Sequence, residues 1–482
     1  MTETSVRMSR VDTAWLRMDS PTNLMMIVGV WLLSPALDYP ALCRRLRTRL
    51  LRYDRFRQKV VQDSVMSYWV DDADFDIKRH VLRETLSPAA GQGERDALKA
   101  RAAELAAQPL DHDHPLWQMH LIEHYEDGSA VIVRMHHCIA DGIALNAVLL
   151  SVADGGVDLH PQDHPPHDHH RPAQPEHGDE HDWLADAVVK PLTDIAVKGI
   201  GMSGDGIAQA MDFLAHPQEP LRATVDLARS GIHLLRDAAA LALLSNDSPT
   251  LLKGKLSGRK AVAWCEPLPL EQVKAVGKAM QCSVNDVLLC CVAGAIGHYL
   301  RERGDDPAGK EIRAMVPVNL RPLEGAWQLG NRFGLAPVVL PIGITNPVER
   351  LYAVRQRMHE LKDSYQPLLA YALLAVSGVL TKALQDTLSN VFLQKTTAVM
   401  TNVPGPAEPV VLCGSTLRQS IFWVPSSGDV GIGVSIVSYA GAVQFGLITD
   451  EQRCADPQKI IDRFAPEFER LLLLTLLLPW AI

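Results

Sequence analysis

The sequence predicts a mixed α/β fold made of two similar lobes joined by a crossover. Helical and strand-like hydrophobic periods alternate in residues 1–158 and again in residues 256–482. Each of these regions contains two strand-like runs separated by turn residues, which is the pattern of a β-hairpin. The segment between the two regions shows neither property. We therefore expect an N-terminal lobe (1–158) and a C-terminal lobe (256–482).

The two hairpins are the most specific strand signals in the chain. In the first lobe, Gln118–Tyr125 and Ala130–His137 flank the turn residues Glu126-Asp127-Gly128-Ser129. In the second lobe, Val430–Tyr439 and Ala442–Thr449 flank Ala440-Gly441. No convincing sequence repeat relates the two regions, so the expected similarity between the lobes is architectural.

The intervening segment divides into two parts. Residues 159–182 predict an exposed linker, because His160–His181 holds seven of the 18 histidines and five prolines with almost no apolar residues. Residues 183–255 repeat Ala, Leu and Val at a helical period, which predicts a helical crossover and not a compact domain.

Composition and charge exclude several classes of protein. The chain has 482 residues, which corresponds to about three domains at roughly 150 residues each. Its 47% hydrophobic and 21% charged residues exclude general disorder, collagen and a coiled coil. The net charge of −9 gives no overall basic field, so nucleic acid is not an expected partner. Eight cysteines without a C-x-x-C pair fit a reduced, cytoplasmic setting.

The strongest chemical signal is the run MHHCIADG at residues 135–142. It lies where a predicted strand ends and a predicted helix begins. Side chains alternate along a strand, so only one of His136 and His137 can face a given cleft if the strand continues through them. A neutral imidazole there can act as a general base near pH 7. Asp141 is placed to cap the helix, and Gly142 leaves room for a substrate.

The residues alone leave other interpretations open. A histidine at a strand end is most often structural, and Asp141 can be a plain helix cap. A metal site at His136, His137 and Asp141 is disfavoured, because adjacent strand histidines diverge. Cys138 is disfavoured as a nucleophile for the same reason, since the next strand residue would point away from His137.

The run resembles the His-His-x-x-x-Asp-Gly signature of coenzyme-A-dependent acyltransferases related to chloramphenicol acetyltransferase and to the condensation domains of peptide synthetases. Further segments narrow the resemblance to the bacterial wax ester synthase/acyl-CoA:diacylglycerol acyltransferase family. In the expected order, from about residue 8 to 450, they are Asp12–Asn23 with its Ser20-Pro21-Thr22-Asn23 run, Pro115-Leu116-Trp117, Ser283–Val287, Val316–Arg321, Gly330–Gly334 and Thr401–Pro406.

This resemblance implies two chloramphenicol-acetyltransferase-like lobes, each a mixed sheet flanked by helices, with the active site in a tunnel between them. It implies transfer of a long-chain acyl group from acyl-CoA to a fatty alcohol, to diacylglycerol or to both, in a ternary complex. His137 would be the general base beside His136 and Asp141. Acyl-CoA is then a co-substrate, and no bound cofactor or metal is expected. The absence of a G-x-S-x-G run fits a route without an acyl-enzyme.

The resemblance also implies roles for residues outside the histidine run. Asp141 would hold the histidine loop through an arginine, with Arg321 as the first choice and Arg313 or Arg10 as fallbacks. Candidate substrate contacts are Gly142, Trp117, Asn285 and Asn402. Candidate supporting residues are Asp286, which fits a capping box with Ser283, and Pro115 and Leu116, which are expected to pack against the cleft wall.

Two kinds of segment are compatible with a lipid surface. Arg44–Lys59 has eight basic residues in sixteen, with leucines at every fourth position, and predicts a cationic amphipathic helix. Its basic face could be solvated, or could bind coenzyme A phosphates or an anionic membrane. Leu24–Leu33 and Leu471–Leu478 are too short to span a bilayer, which needs about 20 residues. We expect a cytoplasmic protein in peripheral contact with the inner membrane or lipid bodies, and its oligomeric state stays open.

Two rival functions remain. One is a condensation-type or polyketide-associated transferase that uses a carrier-bound donor. The other is a non-catalytic protein that binds lipid bodies or membranes.

Overall fold

The computed structural model describes residues 5–63, 66–156, 246–320, 329–362, 395–426 and 428–477, with positions 370, 371, 374, 377 and 385. The predicted linker (159–182) and residues 183–245 of the predicted helical crossover (183–255) lie outside the described residues.

The N-terminal lobe alternates strands and helices, as its periodicity predicts. Its elements are β1 (Ser5–Arg7), α1 (Arg10–Arg17), β2 (Met26–Ser34), α2 (Tyr39–Arg49), β3 (Gln58–Gln62), β4 (Ser67–Asp71), α3 (Ile77–His80), β5 (Val81–Glu84), α4 (Glu94–Ala106), β6 (Trp117–Tyr125), β7 (Gly128–His136) and α5 (Gly142–Val152).

The C-terminal half continues with a second mixed set of elements. They are β8 (Lys260–Trp264), β9 (Leu268–Pro269), α6 (Leu270–Ala279), α7 (Val284–Glu302), β10 (Ile312–Asn319), β11 (Phe333–Leu340), α8 (Pro347–Lys362), β12 (Ala398–Pro404), β13 (Val411–Leu412), β14 (Ser415–Trp423), β15 (Ile432–Tyr439), β16 (Ala442–Asp450) and α9 (Gln458–Leu476).

Each lobe is built on a mixed sheet, so the predicted fold class is confirmed. The C-terminal sheet has the strand order β11-β10-β12-β15-β16-β8, with β9 attached to β16. The N-terminal sheet has the order β13-β14-β2-β7-β6-β5, and β1, β4 and β3 form a separate small sheet. Both predicted hairpins are present, as β6–β7 and β15–β16. The second turns through Ala440 and Gly441, whose φ angles are 46° and 77°, the positive values that a tight hairpin turn requires.

The division into lobes differs from the prediction in one respect. β13 and β14 come from the C-terminal half of the chain, yet β14 pairs antiparallel with β2 from Trp423↔Val28 to Thr416↔Ser34. The N-terminal sheet is therefore completed by a later segment, and the boundaries 1–158 and 256–482 do not separate the lobes cleanly. Local periodicity predicts a strand but does not identify its partner.

The basic segment Arg44–Lys59 is not one helix, so that prediction is wrong. The helix α2 ends at Arg49 and is followed by single 3₁₀ turns at Leu50–Arg52 and Asp54–Phe56. The chain then enters β3, where Lys59 pairs with Val70 of β4. Sheet pairing here overrides the helical period. The apolar segment Leu24–Leu33 is likewise not interfacial, because most of it forms the core strand β2.

Two long helices cover the C-terminal sheet. The buried helix α7 begins at the predicted capping box, in which Ser283 and Asp286 bond each other's backbone N–H. The helix α9 runs antiparallel to it, because Arg463 contacts Glu302 while Glu467 lies 3.0 Å from His298. Among the described residues no single helix is long and apolar enough to cross a membrane; only α6 and α7 together pass that test, and they meet at a bend of 98°.

Candidate active site

His137 lies at the junction of the two lobes. The strand β7 ends at His136, so His137 lies in the following turn, where its N–H donates to the carbonyl of Met25 at 2.7 Å. Its ring stacks on the indole of Trp15, with centroids 4.4 Å apart and planes within 14°. The side chain lines a cavity of about 560 Å³. The histidine chosen as the base from the sequence therefore faces a cavity.

The side chain of Asn331 contacts His137 at two points. Its Oδ1 lies 2.8 Å from Nδ1 of His137, and its Nδ2 donates to the His137 carbonyl at 2.7 Å. Asn331 is 4% exposed and belongs to the Gly330–Gly334 motif. With Nδ1 occupied by Asn331, Nε2 is the ring nitrogen left for a substrate.

A buried ion pair lies behind this contact. The Asp12 carboxylate accepts from Asn331 Nδ2 at 2.8 Å and lies 3.0 Å from Arg55 Nη2. Nη1 of Arg55 donates to the carbonyls of Cys138 and Ile139, at 3.3 and 2.7 Å. An arginine thus does hold the histidine loop, but it is Arg55 from the predicted basic segment, and its carboxylate partner is Asp12.

His136 occupies a different environment from its neighbour. Its Nδ1 accepts from the Cys138 N–H at 3.1 Å, and its Nε2 lies 3.4 Å from the carboxylate of Asp19. Burial favours the neutral ring, whereas the Cys138 sulfur and the Asp19 carboxylate favour the protonated ring and raise the pKa of His136 to about 10. His136 and His137 therefore face different surroundings, as predicted. The reason is that β7 ends at His136, and not that side chains alternate along a continuing strand.

The electrostatics of His137 favour a neutral imidazole. Burial lowers the pKa of His137 to about 4, although its own backbone carbonyl, the Asp141 carboxylate and the bond to Asn331 act in the opposite direction. At pH 7 the ring is unprotonated and able to accept a proton. Adjacent groups whose pKa values are pushed apart are a common feature of acid–base sites.

Asp141 ties the helix α5 to the C-terminal half. Its Oδ1 accepts from the Ala144 N–H at 3.0 Å, which is the predicted helix cap, and its Oδ2 accepts from the Arg332 N–H at 3.1 Å. Arg321, the predicted arginine partner, lies outside the described residues. Of the fallbacks, Arg313 donates to the Lys395 carbonyl and Arg10 is exposed. Gly142 lines the cavity, as predicted for a residue beside the substrate, and a Cβ there would make an ordinary contact with Val403 at 3.4 Å.

The cavity is lined by both lobes and is predominantly apolar. From the N-terminal sheet and helices come Ile27, Gly29, Trp31, Leu42, Leu46, Leu50, Phe56, Met119, Val133, Met135, Leu145 and Val148; from the second half come Pro317, Phe333, Leu335, Val399, Val403, Leu412, Phe422 and Val424. Polar side chains on this lining are His137, Asp141, Asn146, Asn319, Thr401, Asn402 and Ser420. Such a lining suits an acyl chain with a few polar contacts near the reacting atoms.

The register of the N-terminal sheet gives the direction of this cavity. Gly29 pairs with Val133 and Ile27 pairs with Met135, while Met26 pairs with His136 next to the base. Trp31 is two residues further along the same face of β2. The N-terminal part of the cavity therefore extends away from His137 along β2 and β7.

Thr401 and Asn402 lie on the opposite wall, in β12. Thr401 is 4% exposed, and its buried hydroxyl has no hydrogen-bond partner among the described residues. The Nδ2 of Asn402 donates to Oδ1 of Asn285, which is itself exposed and does not line the cavity. Asn285 thus acts through Asn402. Asp286 is the helix cap that the sequence predicts.

Trp117, a predicted substrate contact, does not line the cavity. Trp117 is fully buried, and its indole N–H donates at 2.8 Å to the carbonyl of Phe56, which lines the cavity in its place. Pro115 and Leu116 are buried and do not line the cavity, and the Leu116 carbonyl accepts from the His136 N–H at 2.9 Å.

The geometry disfavours Cys138 as a nucleophile and offers no metal site within the described residues. Cys138 is fully buried and does not line the cavity. Across the described ranges, no group of three His, Cys, Asp or Glu side chains is arranged to hold a metal ion.

Sequence reasoning missed four residues that surround His137. Arg55 carries no local signal for this role, because it acts through contacts distant in the chain. Asp12 and Trp15 lie in the recognised Asp12–Asn23 segment, but their contacts with Asn331 and His137 appear only in the folded chain. Asn331 belongs to a recognised motif. Its role appears only in the folded chain, where it contacts His137, 194 residues earlier.

Comparisons with known proteins agree with this geometry. A family model described as "Wax ester synthase/diacylglycerol acyltransferase catalytic domain" matches residues 8–288, and one described as "WS/DGAT C-terminal domain" matches residues 329–472. A probable diacylglycerol O-acyltransferase of Mycobacterium tuberculosis is 27% identical over 431 residues, covering 88% of this chain and 85% of that protein. Another from the same species is 28% identical over 460 residues, covering 91% and 92%.

Solved structures show the same fold. The wax ester synthase/diacylglycerol acyltransferase of Marinobacter aquaeolei VT8 matches with a TM-score of 0.64 and 20% identity, covering 98% of this chain and 99% of that one. The first condensation domain of the CDA synthetase matches with a TM-score of 0.57 and 14% identity, covering 97% and 95%. With a catalytic-domain match over residues 8–288, this chain belongs to the wax ester synthase/diacylglycerol acyltransferase family.

Proposed function

We propose that this acyltransferase moves a long-chain acyl group from acyl-CoA to the hydroxyl of a fatty alcohol or of diacylglycerol. The observation that carries the proposal is the placement of a neutral His137 at the wall of an apolar cavity shared by both lobes. The names of the relatives, which are diacylglycerol O-acyltransferases, support the acceptor class. Acyl-CoA is a co-substrate that enters and leaves in each cycle.

The reaction needs one base and no covalent enzyme intermediate. Nε2 of His137 accepts the proton of the acceptor hydroxyl as its oxygen attacks the thioester carbonyl carbon. The tetrahedral oxyanion then collapses, and the carbon–sulfur bond breaks. The departing thiolate of coenzyme A takes the proton from Nε2, which leaves the ester, free coenzyme A and a neutral His137. Holding both substrates against one base supplies much of the rate enhancement.

The Thr401 hydroxyl is the candidate donor to the oxyanion. It is buried, lines the same cavity as His137, and has no hydrogen-bond partner within the part of the chain that the structure describes. A buried hydroxyl without a partner is costly in a folded protein, so one that faces a substrate cavity is a good candidate for a substrate contact. Donors of this kind stabilise charge that develops only in the transition state.

Peripheral contact with a membrane or lipid body is part of the proposal. Leu473, Leu476 and Leu477, at the end of α9, are 61%, 59% and 80% exposed. Since α9 runs antiparallel to α7, these leucines lie toward the beginning of α7, where Asn285 contacts the cavity residue Asn402. Contiguous exposed apolar side chains favour an interface. Both acceptor classes are themselves lipids, so this end of the molecule is the one we expect to face the lipid.

The acceptor is tested by measuring thiol release from palmitoyl-CoA by the purified protein, with hexadecanol, with diacylglycerol and without acceptor. We expect acceptor-dependent release and the matching ester by chromatography. Thiol release that is independent of acceptor, or activity only with a carrier-bound acyl donor, would contradict the proposal.

Lipid contact is tested separately by sedimentation with phosphatidylglycerol vesicles. The variant with Leu473, Leu476 and Leu477 each replaced by Ser should bind less. The matched control makes the same change to Ser at Val6 and Val61, which are 57% and 44% exposed on the small sheet of β1, β4 and β3. It should bind like the unmodified protein. Equal loss in both variants would contradict the assignment to α9.

A further inference from the structure

We propose that Asn331 is a positioning residue: held by Asp12, it fixes the His137 imidazole in the tautomer with hydrogen on Nδ1 and a free lone pair on Nε2. The inference rests on the proposed role of His137 as general base and deepens it. It assigns a function to a residue that does not touch the substrate and acts only through the histidine.

The orientation of the Asn331 amide follows from its neighbours. Its Nδ2 lies 2.8 Å from a carboxylate oxygen of Asp12 and 2.7 Å from the carbonyl oxygen of His137. Both of these atoms can only accept hydrogen bonds, so the amide nitrogen must face them. The amide oxygen then necessarily faces Nδ1 of His137, at 2.8 Å. Because that oxygen can only accept, Nδ1 must carry the hydrogen.

The Asp12 carboxylate is itself fixed. It is 1% exposed, its second oxygen pairs with Arg55 at 3.0 Å, and its first oxygen also accepts the backbone N–H of Asn331 at 3.1 Å. Arg55 in turn donates to the carbonyls of Cys138 and Ile139, directly after the base. Rotation of the Asn331 amide by a half-turn would set its oxygen against two acceptors and break both bonds.

The consequence for catalysis lies at Nε2. In the tautomer with hydrogen on Nδ1, Nε2 presents its lone pair and can take the acceptor proton at once. In the other tautomer Nε2 carries hydrogen and cannot act as a base. The stacked ring of Trp15, 4.4 Å away, keeps the imidazole in plane while Asn331 sets its protonation. The same logic underlies the base-orienting group of hydrolase triads.

Several charged groups also act on His137 and enter any measurement of its titration. Asp141 raises its pKa and His136 lowers it. Trp15 and Phe333 present only ring surfaces to it. Asp12 and Arg55 lie one layer further away, behind Asn331.

The tautomer can be read directly by nitrogen NMR of protein labelled with ¹⁵N-histidine, with the His137 signal assigned by its loss in His137→Gln. We expect Nδ1 of His137 to be protonated and Nε2 to be unprotonated at pH 7 in the unmodified protein. A protonated Nε2 would overturn the proposal. This measurement needs no activity, so it separates the inference from the proposed function: absent acyl transfer with the expected tautomer counts against the function alone.

The kinetic test uses Asn331→Ala, with Asn346→Ala as the matched control. Asn346 caps α8 by accepting from Val348 and Glu349, away from the cavity. In the first variant we expect kcat to fall by about 10²-fold with little change in KM for palmitoyl-CoA, since ground-state binding is untouched. The acid limb of its pH profile should move to lower pH, because the lost bond had favoured the protonated ring. The control should retain its kcat. A folded Asn331→Ala variant with unchanged kcat and an unchanged profile would overturn the proposal.

Discussion

The indole of Trp15 lies flat against the imidazole of His137, with ring centroids 4.4 Å apart and an angle of 14° between the planes. This contact joins the first helix of the chain to the base of the reaction. It covers one face of the imidazole and excludes water from it. Burial is the largest cause of the low pKa of His137, about 4. Trp15 therefore influences both the orientation and the basicity of the ring.

Replacement of Trp15 should change the pH dependence of catalysis. In Trp15→Ala, water reaches the ring and stabilises the imidazolium, so the pKa of His137 should rise toward its ordinary value of about 6.5. The acid limb of the kcat/KM profile should therefore move to higher pH by more than one unit. The profile is measured below the unfolding temperature of the variant. Trp15→Phe keeps an aromatic cover and should move the limb much less. Superimposable profiles for all three proteins would contradict this role.

Thr401 should contribute to the transition state and not to substrate binding. In Thr401→Val, which keeps the shape but removes the hydroxyl, kcat should fall by about 10²-fold while KM for both substrates stays within a factor of three. Thr401→Ser retains the donor and should keep most of the activity. A Val variant with normal kcat would show that the oxyanion is stabilised elsewhere.

Gly29 should leave room in the cavity for a long acyl chain. It lines the N-terminal part of the cavity, and a Cβ there would lie 3.4 Å from the Ile421 carbonyl oxygen, an ordinary contact. In Gly29→Val the added methyl groups narrow the cavity between His137 and Trp31. The ratio of kcat/KM for palmitoyl-CoA to that for hexanoyl-CoA should fall by about 10-fold or more.

The matched control for this substitution is Gly93→Val, at the exposed beginning of α4, where a Cβ meets nothing within 4 Å. It should leave the chain-length ratio unchanged. An unchanged ratio in Gly29→Val as well would mean that the acyl chain does not follow β2.

Asp141 should act mainly through stability. In Asp141→Ala, the helix α5 loses its cap and the Arg332 N–H loses its acceptor, so the free energy of unfolding should fall by about 2 kcal/mol. Asp38→Ala removes only the cap of α2 and should cost about 1 kcal/mol. Denaturant unfolding measures both values. Equal losses would mean that the bond to Arg332 contributes nothing.

Much of the fold could be predicted because its signals are local. Turn residues and alternating strands locate both hairpins, and Ser283 with Asp286 marks the beginning of α7. The placement of β14 beside β2 could not be predicted, because pairing partners separated by almost 400 residues leave no local pattern. The basic segment after Arg49 was misassigned for a related reason, since Lys59 pairs with Val70 in a ladder that its own sequence does not reveal.

The candidate site was predicted unevenly for the same physical reason. His137 and Asp141 belong to one short run with a recognisable chemistry, so the sequence identifies them. A tryptophan can line a cavity or fill a core, and the sequence around Trp117 is compatible with both. In the fold Phe56 lines the cavity, and Trp117 is buried behind it with its indole N–H bonded to the Phe56 carbonyl. Asn331 and Asp12 lie 319 residues apart and meet only in the folded chain.

The most direct test of the account is thiol release from palmitoyl-CoA, with hexadecanol as acceptor, by His137→Ala. The control is His124→Ala, an exposed histidine near the end of β6. Both proteins should show the same circular dichroism and unfolding midpoint within a few degrees. We predict that loss of the base lowers kcat by about 10³-fold, while the control keeps the unmodified rate. A folded His137→Ala protein that turns over within a few-fold of the unmodified rate would contradict the central claim that His137 is the general base.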